Sequence, residues 1–464
     1  MLFKKIESEG LAHYSYIIGD KTEAAVIDPR RDIDVYLNEA AENGMKIKYI
    51  FETHRNEDYI VGSRALAEAT GAEIFHADGE LDYQYGKLVD TEREYKLGRL
   101  KLNAIATPGH TRGSHSYLLK DYDDNPWILF SGDILFAGDV GRIDFYGEYN
   151  IPEIASLLYD SLYNKILPLG EEVILCPAHG AGSVCGSQIA DRELTTLAME
   201  KKINPYLQYE SEEEFVREVG EMEQKPQYFK VMEEANLNPS TAKDIPFVPA
   251  LSPDEFEKKM MDQNTVVIDI RSDSNYAASH IPNSIFLWEE IIASFVGWFL
   301  DNDRNILLVG EDNYPKKTAA SLFRMGYENL EGYLARGMLS WHLAGKYTES
   351  TSIINVHHFC DILDSDLEDD YLLLDIRTEE EKAEEGYISN AREIALTDLE
   401  RDLEKYLDEL DQKKNLYIFC GSGMRSMTAA SLLENRLNSS VHVILGGLNA
   451  WSSTSCPVRI GNNS

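Results

Sequence analysis

The feature that most constrains the fold is an internal repeat in the second half of the chain. The stretch VVIDIRSDSNYAASHIPNSIFL matches LLLDIRTEEEKAEEGYISNAREIAL, ILLVGEDNYPKKTAASLF matches LYIFCGSGMRSMTAASLL, and LEGYLARGMLSWHLAG matches VILGGLNAWSSTSCPV. Three blocks that match in the same order predict two copies of one small α/β domain. We place copy one at residues 246–348 and copy two at residues 349–464, with Gly310 of copy one corresponding to Cys420 of copy two.

The bulk properties exclude several classes of protein. The net charge of −36 repels nucleic-acid phosphates and anionic lipids, so we expect neither nucleic acid nor membrane as a partner. No apolar run reaches the roughly 18 residues of a spanning helix, and the start MLFKKIESEG lacks the apolar region of a secretory signal. Five widely spaced cysteines do not form the pattern of a disulfide framework, which favours a reducing cytoplasm.

The first half of the chain is predicted to deliver polar ligands from strand ends. Within residues 1–195, the segments IKYIFETH, LKLNAIATPGH, WILFSGD and EVILCPAHG are each a predicted strand that ends in a loop carrying His or Asp. Several strands that bring such side chains to one edge are the usual way in which α/β folds build a site. Residues 196–245, rich in Glu, Lys, Tyr and Met, are predicted to be a helical linker.

The loop CGSGMRS in copy two is a candidate nucleophile site. Strand Leu416–Phe419 leads into Cys420, and a Gly-rich turn leads from it into a helix predicted at Met427–Leu433. Backbone N–H groups, the helix N-terminus and Arg425 would favour the thiolate over the thiol and hold an anion such as thiosulfate. The alternative is a buried, inert cysteine. The substrate cradle would consist of Gly421, Ser422, Gly423 and Met424, with Arg425 assigned beside Cys420 as catalytic.

Loop length separates the two chemistries that use such a cradle, sulfur transfer and phosphoryl transfer. Four residues lie between Cys420 and Arg425, whereas the related phosphatase loops are longer. Copy two resembles rhodanese-type sulfurtransferases over most of its length. Copy one has Gly310 in place of the cysteine and Lys316 near the position of Ser426, so we predict a catalytically silent rhodanese-like domain.

The first half carries a second constellation in the blocks THRNEDY, TPGHT, SGD and CPAHG. This order resembles the metallo-β-lactamase superfamily, with glyoxalase II and persulfide dioxygenases as the nearest branches. The resemblance implies an αββα sandwich, and so an α/β chain in which this sandwich is followed by two rhodanese-like α/β domains. The residues concerned are His54, Asp58, His110, Asp133 and His179.

Ligand counting favours iron over zinc. The family's full motif has histidines at the positions of Asn56 and Tyr59, so each half of a two-zinc site would lack one ligand. Two histidines and one carboxylate form the facial triad of non-haem Fe(II) oxygenases. The resemblance to persulfide dioxygenases implies one Fe(II) per chain, held by His54, His110 and Asp133. Asp58 and His179 are assigned to hydrogen bonding around that site. The alternative is a decayed site that holds no metal.

The whole chain resembles bacterial fusions of a persulfide dioxygenase-like domain, a rhodanese-homology domain and a C-terminal rhodanese. That resemblance implies oxidation of a glutathione- or coenzyme A-type persulfide by O2 to sulfite and free thiol. It also implies exchange of sulfane sulfur between Cys420 and thiosulfate or sulfite, in either direction. Arg142, in GDVGRIDF, matches a family position near the iron and would hold an anionic substrate end; the alternative is a surface salt bridge.

Two other functions stay open at this point. One is a rhodanese sulfurtransferase whose first segment is a non-catalytic scaffold, and the other is a zinc thioester hydrolase of glyoxalase II type. The scaffold hypothesis predicts an activity that is lost in Cys420→Ser and insensitive to His110→Ala. The sequence names no thiol carrier, and it leaves a homo-oligomer open.

Overall fold

A computed structural model describes residues 1–186, 188–192, 194–219, 228–311, 314–363, 370–454 and 460–461. The chain divides into two compact units, one of Met1–Ile245 with Ala320–Gly326 and the other of Pro246–Ala319 with Tyr327–Ser464. No helix in these ranges is both long enough and apolar enough to cross a membrane. The predicted domain limits stay a prediction.

The first unit contains two six-stranded sheets, each with its strands in chain order from one edge to the other. The segments YSYIIGD and EAAVIDP form an antiparallel pair of strands, in which Ile17 lies opposite Val26. The first sheet comprises β1 Leu2–Ser8, β2 His13–Asp20, β3 Glu23–Ile27, β4 Lys46–Phe51, β5 Glu73–His76 and β6 Lys87–Leu88. The second comprises β7 Glu94–Leu97, β8 Leu100–Ala106, β9 His115–Lys120, β10 Pro126–Gly132, β11 Ile174–Pro177 and β12 Thr195–Thr196.

Apolar side chains of both sheets form one shared core, so the sheets pack face to face. The outer face of each sheet is covered by helices with their own buried clusters, which confirms the predicted αββα sandwich. The helices are α1 Asp34–Glu42, α2 Ser63–Thr70, α3 Ile151–Tyr159, α4 Leu197–Ile203, α5 Glu212–Glu218 and α6 Tyr228–Ala235. A π-helical stretch spans Asp160–Ile166, and 3₁₀ turns span Glu148–Asn150, Leu167–Leu169 and Pro205–Leu207.

The segment predicted as a helical linker contains α4, α5 and α6 among its described residues and is part of the first unit. Leu197, Leu207 and Phe215 are buried in the same cluster as α3. Residues 220–227 of this segment lie outside the described residues. Burial of three large side chains removes apolar surface from water and so fixes the segment to the sandwich.

The second unit confirms the repeat, because it contains two five-stranded sheets of the same strand order. Copy one has β13 Ala250–Leu251, β14 Thr265–Asp269, β15 Ile285–Phe286, β16 Asn305–Val309 and β17 Leu330–Leu334. Copy two has β18 Ser352–Ile354, β19 Tyr371–Asp375, β20 Tyr387–Ile388, β21 Ala391–Glu393, β22 Asn415–Phe419 and β23 Ser440–Ile444; β20 pairs with β24 Ile460–Gly461. The helices are α7 Pro253–Met260, α8 Asp273–Ala278, α9 Ile292–Phe299, α10 Lys316–Arg324, α11 Gly337–Leu343, α12 Val356–Leu363, α13 Glu379–Glu385, α14 Leu396–Arg401, α15 Leu403–Leu410, α16 Met424–Leu433 and α17 Gly447–Ser452.

The two copies also share their buried polar contacts. In the IDIR motif the Arg271 guanidinium donates to Asp269 at 2.7–3.1 Å, and in the LDIR motif Arg377 donates to Asp375 at 2.7–3.2 Å. A buried arginine needs such a bidentate partner, because an unpaired buried charge is costly. The matching sequence blocks therefore reflect matching cores.

The helix after the cysteine loop begins at Met424, three residues before the predicted Met427, because Gly423 adopts a φ of 101° that lets the chain enter the helix directly.

Among the described cysteines, Cys176, Cys185 and Cys420 are free and Cys360 is disulfide-bonded. Cys456 lies outside the described residues, so the expectation that the cysteines form no disulfide framework stays a prediction.

Candidate functional site

Four loops at strand ends meet in the first unit, as the sequence predicts. His54 follows β4, His110 follows β8, Asp133 follows β10 and His179 follows β11. One ligand atom from each of His54, His110 and Asp133 lies within 4.8 Å of the others, and all three side chains are buried. We call these three residues the metal cluster.

The geometry of the metal cluster leaves its two imidazoles open. Asp133 Oδ2 lies 3.6 Å from His54 Nε2 and 3.5 Å from His110 Nε2. Both Nε2 atoms are buried and lack a hydrogen-bond partner among the described residues. Buried polar atoms are rarely left unsatisfied, so atoms that converge in this way indicate a place for a cation.

His54 is oriented by a relay of hydrogen bonds behind it. Its Nδ1 lies 2.8 Å from Thr53 Oγ1, and that hydroxyl lies 2.9 Å from Asp28 Oδ2. If the hydroxyl donates to Asp28, it accepts from Nδ1–H, and the lone pair of His54 is then on Nε2. This outer contact fixes the tautomer that a metal ligand requires.

His110 is oriented by a backbone carbonyl. Its Nδ1 lies 2.9 Å from the carbonyl oxygen of Arg142, so Nδ1–H donates there and Nε2 carries the lone pair. The Arg142 guanidinium is in a buried bidentate ion pair with Asp144, with both donor distances 2.8 Å. Arg142 is therefore not in a surface salt bridge, and its assignment to an anionic substrate end stays a prediction.

His179 lies between two carboxylates. Its Nδ1 is 2.8 Å from Asp133 Oδ1, and its Nε2 is 2.9 Å from Asp58 Oδ2. These are the contacts that the predicted hydrogen-bonding roles of His179 and Asp58 require, although those roles stay predictions. Cys185 lies close to His179 and Asp58. One ligand atom from each of these three residues lies within 4.8 Å of the others.

The positions without the expected histidines are filled by other buried groups. Tyr59 packs its ring on His13, with ring centroids 3.9 Å apart, and Asn56 is fully buried. The Tyr59 hydroxyl and Asn56 Oδ1 have no hydrogen-bond partner in the described part of the chain. A phenol and an amide are far weaker metal ligands than imidazole, so neither restores a two-zinc site.

Sequence reasoning missed Glu57. This residue is fully buried, and its Oε2 lies 3.7 Å from His54 Nε2 and 3.6 Å from His110 Nε2. The signal that could have found it is its place in the chain, an acidic residue three positions after His54 in the same loop after β4. Burial raises the pKa of the Glu57 carboxyl above its ordinary value.

The charges around the metal cluster act differently on its two imidazoles. Burial lowers the pKa of His54 to about 3, so its imidazole is neutral at neutral pH. Burial also acts to lower the pKa of His110, but Glu57 and Asp133 outweigh it and raise that pKa above its ordinary value, so metal binding there would release a proton. Burial acts to raise the pKa of Asp133, but the imidazoles of His179, His54 and His110 outweigh it and hold that pKa well below its ordinary value.

The cysteine loop of copy two forms a tight cradle. Cys420 is buried, and its Sγ accepts a hydrogen bond of 3.0 Å from the Gly423 N–H. Its carbonyl accepts from the Leu448 N–H at 2.8 Å. Gly447 has a φ of 53°, and a Cβ there would collide with the Cys420 carbonyl oxygen. Only glycine therefore fits at this position without displacing the loop.

Arg425 is already paired. Its guanidinium forms a bidentate ion pair with Glu381, with Nη1 2.7 Å from Oε2. Glu381 also accepts from the Thr378 N–H at 2.9 Å as part of a capping box at the start of α13. Sequence reasoning missed Glu381, because its partner is 44 residues away. An anionic substrate would meet a positive charge that a carboxylate partly neutralises.

Copy one has a loop at the position of the cysteine loop, but it lacks the cysteine. Gly310 occupies the place of Cys420, and Gly337, with a φ of 54°, repeats Gly447. A Cβ at Gly310 would meet Ile270 at 3.7 Å and 3.8 Å, which is ordinary van der Waals contact. Residues 312–313 of the GEDNYPK loop lie outside the described residues.

Two known family profiles match separate parts of the chain. The profile of the metallo-beta-lactamase superfamily matches residues 9–179, and the profile of the rhodanese-like domain matches residues 252–344 and 360–454.

Individual proteins match parts of the chain. The chain is 25% identical to the hydroxyacylglutathione hydrolase GloC of Haemophilus influenzae over 219 residues. These residues cover 42% of this chain and 93% of that protein. It is 29% identical over 236 residues to the mitochondrial persulfide dioxygenase ETHE1 of Bos taurus, which is 48% of this chain and 83% of that protein. A solved metallo-beta-lactamase from Staphylococcus aureus subsp. aureus COL is 30% identical, with a TM-score of 0.63, covering 72% of this chain and 98% of that one.

Proposed function

From the premise that the chain belongs to the metallo-beta-lactamase superfamily and carries two rhodanese-like domains, we propose that it couples a persulfide dioxygenase to a sulfurtransferase. Residues 1–195 would oxidise a low-molecular-weight thiol persulfide, of glutathione or coenzyme A type, in the cytoplasm. Residues 349–464 would exchange sulfane sulfur with thiosulfate, and residues 246–348 would be catalytically silent. The similarity to a persulfide dioxygenase supports the first activity.

The observation that carries the dioxygenase proposal is the pair of buried, unpartnered Nε2 atoms that face Asp133. His54, His110 and Asp133 would hold one Fe(II) per chain, and this donor set fits the facial triad of non-haem iron oxygenases. Bound there, Fe(II) would supply the redox chemistry that lets O2 react with a sulfur substrate. The overall reaction would be RSSH + O2 + H2O → RSH + SO3²⁻ + 2H⁺.

The side chains around the metal cluster would prepare it for that chemistry. Thr53 and the Arg142 carbonyl keep the Nδ1 protons of both ligand imidazoles on the outer side. His179 holds Asp133 through Nδ1, which leaves the carboxylate ionised. Phe145 packs against the His110 ring with centroids 4.9 Å apart and would exclude water from that side.

In the second unit, Cys420 would be the nucleophile. Its thiolate would attack the outer sulfur of thiosulfate, giving Cys–S–S⁻ and releasing SO3²⁻, or the reverse. The Gly423 N–H already donates to Sγ and would stabilise the negative charge there. The amides of Gly421, Ser422, Gly423 and Met424, with Arg425, would bind the anionic end of the substrate.

The test is metal content and O2 uptake on anaerobically purified protein given glutathione persulfide. We expect about one iron per chain and persulfide-dependent O2 consumption, both lost in His54→Ala. Two zinc ions per chain with thioester hydrolysis would instead support the glyoxalase II alternative, for which the GloC similarity argues. No metal and no O2 uptake would leave Cys420 as the only active centre and make the first unit a scaffold.

A further inference from the structure

Glu57 faces the metal cluster in the same way as Asp133 does. Its Oε2 lies 3.7 Å from His54 Nε2 and 3.6 Å from His110 Nε2, whereas Asp133 Oδ2 lies 3.6 Å and 3.5 Å from the same two atoms. The pair of imidazoles is therefore approached by two carboxylates at nearly equal distances. The three-residue ligand set uses only one of them.

Glu57 is buried against the two open imidazole nitrogens. The side chain is fully buried, and in the described part of the chain neither carboxyl oxygen has a partner within hydrogen-bond distance. Its nearest charged contacts are those of Oε2 with His54 Nε2 and His110 Nε2, at 3.7 Å and 3.6 Å. Buried carboxylates are paired or bind a metal, and a metal shared with these two imidazoles would satisfy all three side chains.

The fold fixes Glu57 in that position. The Asn236 side-chain amide donates to the carbonyl oxygens of Asn56 and Tyr59, both at 2.8 Å, and its Oδ1 accepts from the Val61 N–H at 3.0 Å. These bonds hold the backbone on both sides of Glu57. The neighbouring cation is engaged elsewhere, since Arg55 pairs with Glu233 at 3.1 Å.

We infer that Glu57 is a fourth protein ligand to the metal held by His54, His110 and Asp133. This inference rests on the proposed metal site. It raises the number of carboxylate ligands in that site from one to two. Two carboxylates balance the charge of a divalent cation, and the added oxygen ligand favours Fe(II) or Mn(II) over softer metals. Glu57 would also occupy one position that a three-ligand site leaves open.

The test measures anaerobic Fe(II) affinity by competition with a coloured chelator, using the full chain. We expect Glu57→Gln, which keeps the size of the side chain, to bind Fe(II) at least about tenfold more weakly, because even outer partners of metal ligands contribute that much. The matched control is Glu52→Gln, a buried glutamate held by the Tyr85 hydroxyl at 2.8 Å and 3.0 Å, which should leave the affinity unchanged.

A second measurement guards against a folding defect. Without metal, Glu57→Gln should unfold at about the same temperature as the unaltered chain, because the amide keeps the size of the side chain and a polar atom that faces His110 Nε2. In Glu57→Ala, added acetate should recover part of the Fe(II) affinity by filling the vacated position.

The outcomes separate the inference from the proposed function. If Glu57→Gln binds Fe(II) as tightly as the unaltered chain while His110→Ala loses it, Glu57 is no ligand and the three-residue site stands. If the unaltered chain binds no Fe(II), the proposed dioxygenase fails together with the inference.

Discussion

The metal cluster and the cysteine loop are both buried polar sites, but their polar groups are satisfied in different ways. At the metal cluster, His54 Nε2 and His110 Nε2 face Glu57 Oε2, and these three atoms lack hydrogen-bond partners in the described residues. In the cysteine loop the reactive groups already have internal partners, since Sγ accepts from Gly423 and Arg425 is paired with Glu381. The first site therefore has open atoms that can bind a cation. The second site has its donors in place to stabilise negative charge on the sulfur during a reaction.

The contrast between the metal cluster and the cysteine loop is tested by inactivating one site at a time. Cys420→Ser should lower thiosulfate sulfurtransferase activity at least about 1,000-fold, since it removes the nucleophile, and leave persulfide-dependent O2 uptake unchanged. His110→Ala should do the reverse, because it removes a ligand atom of the metal cluster. Both activities are measured on each variant. Loss of both activities in either variant would show that the sites are not independent.

The relay behind His54 provides the next test. Thr53→Val removes the hydroxyl between His54 and Asp28 and should weaken Fe(II) binding about 10- to 100-fold, as outer-shell changes do. Chelator competition measures this affinity. Thr107→Val is the matched control, because Thr107 is a buried threonine of the same unit whose hydroxyl bonds Ser116 instead, at 3.0 Å. Equal losses in both variants would mean a general packing effect.

The two rhodanese-like copies allow a paired test of the cradle. Gly447→Ala and Gly337→Ala each force a side chain against a carbonyl oxygen at a positive φ and should each cost about 1–3 kcal/mol of unfolding free energy. Only Gly447→Ala should also reduce sulfurtransferase activity, because only copy two carries the cysteine. Denaturant unfolding and a thiosulfate assay measure the two effects. A loss of activity in Gly337→Ala would contradict the silent role of copy one.

The smallest expected effect concerns the partner of Arg425. Glu381→Gln removes the carboxylate that neutralises Arg425 and should lower the KM for thiosulfate about threefold, in keeping with a partly exposed ion pair worth under about 1 kcal/mol. Steady-state kinetics measure it, with Glu379→Gln on the same helix as control. A raised KM would show that Glu381 positions Arg425 rather than competing with the substrate.

The architecture was predicted in two ways, since the αββα sandwich came from the family resemblance and the repeat came from the residues themselves. The repeated blocks predicted two equivalent α/β sheets, and the placement of His54, His110 and Asp133 after strands predicted where they meet. Both follow from chain-local patterns, because strand ends in one sheet share an edge. The start of α16 was misplaced by three residues, since the conformation of Gly423 is not visible in the sequence.

The contacts that complete each site were not predictable in the same way. Glu57 lies between the positions of the missing histidines, Asn56 and Tyr59, and the family motif has no ligand at this position, so the motif does not point to it. Glu381 and Asn236 act across 44 and up to 180 residues of chain, and no local pattern specifies such pairs. Tertiary packing decides them.

Gly310 has a consequence for how the two copies could have diverged. A Cβ at this position would make only ordinary contact with Ile270, so a residue with a side chain can follow β16 without a clash among the described neighbours. Some glycine codons differ from a cysteine codon by a single base. With such a codon, one base change places a sulfur at the end of β16 at no steric cost to Ile270.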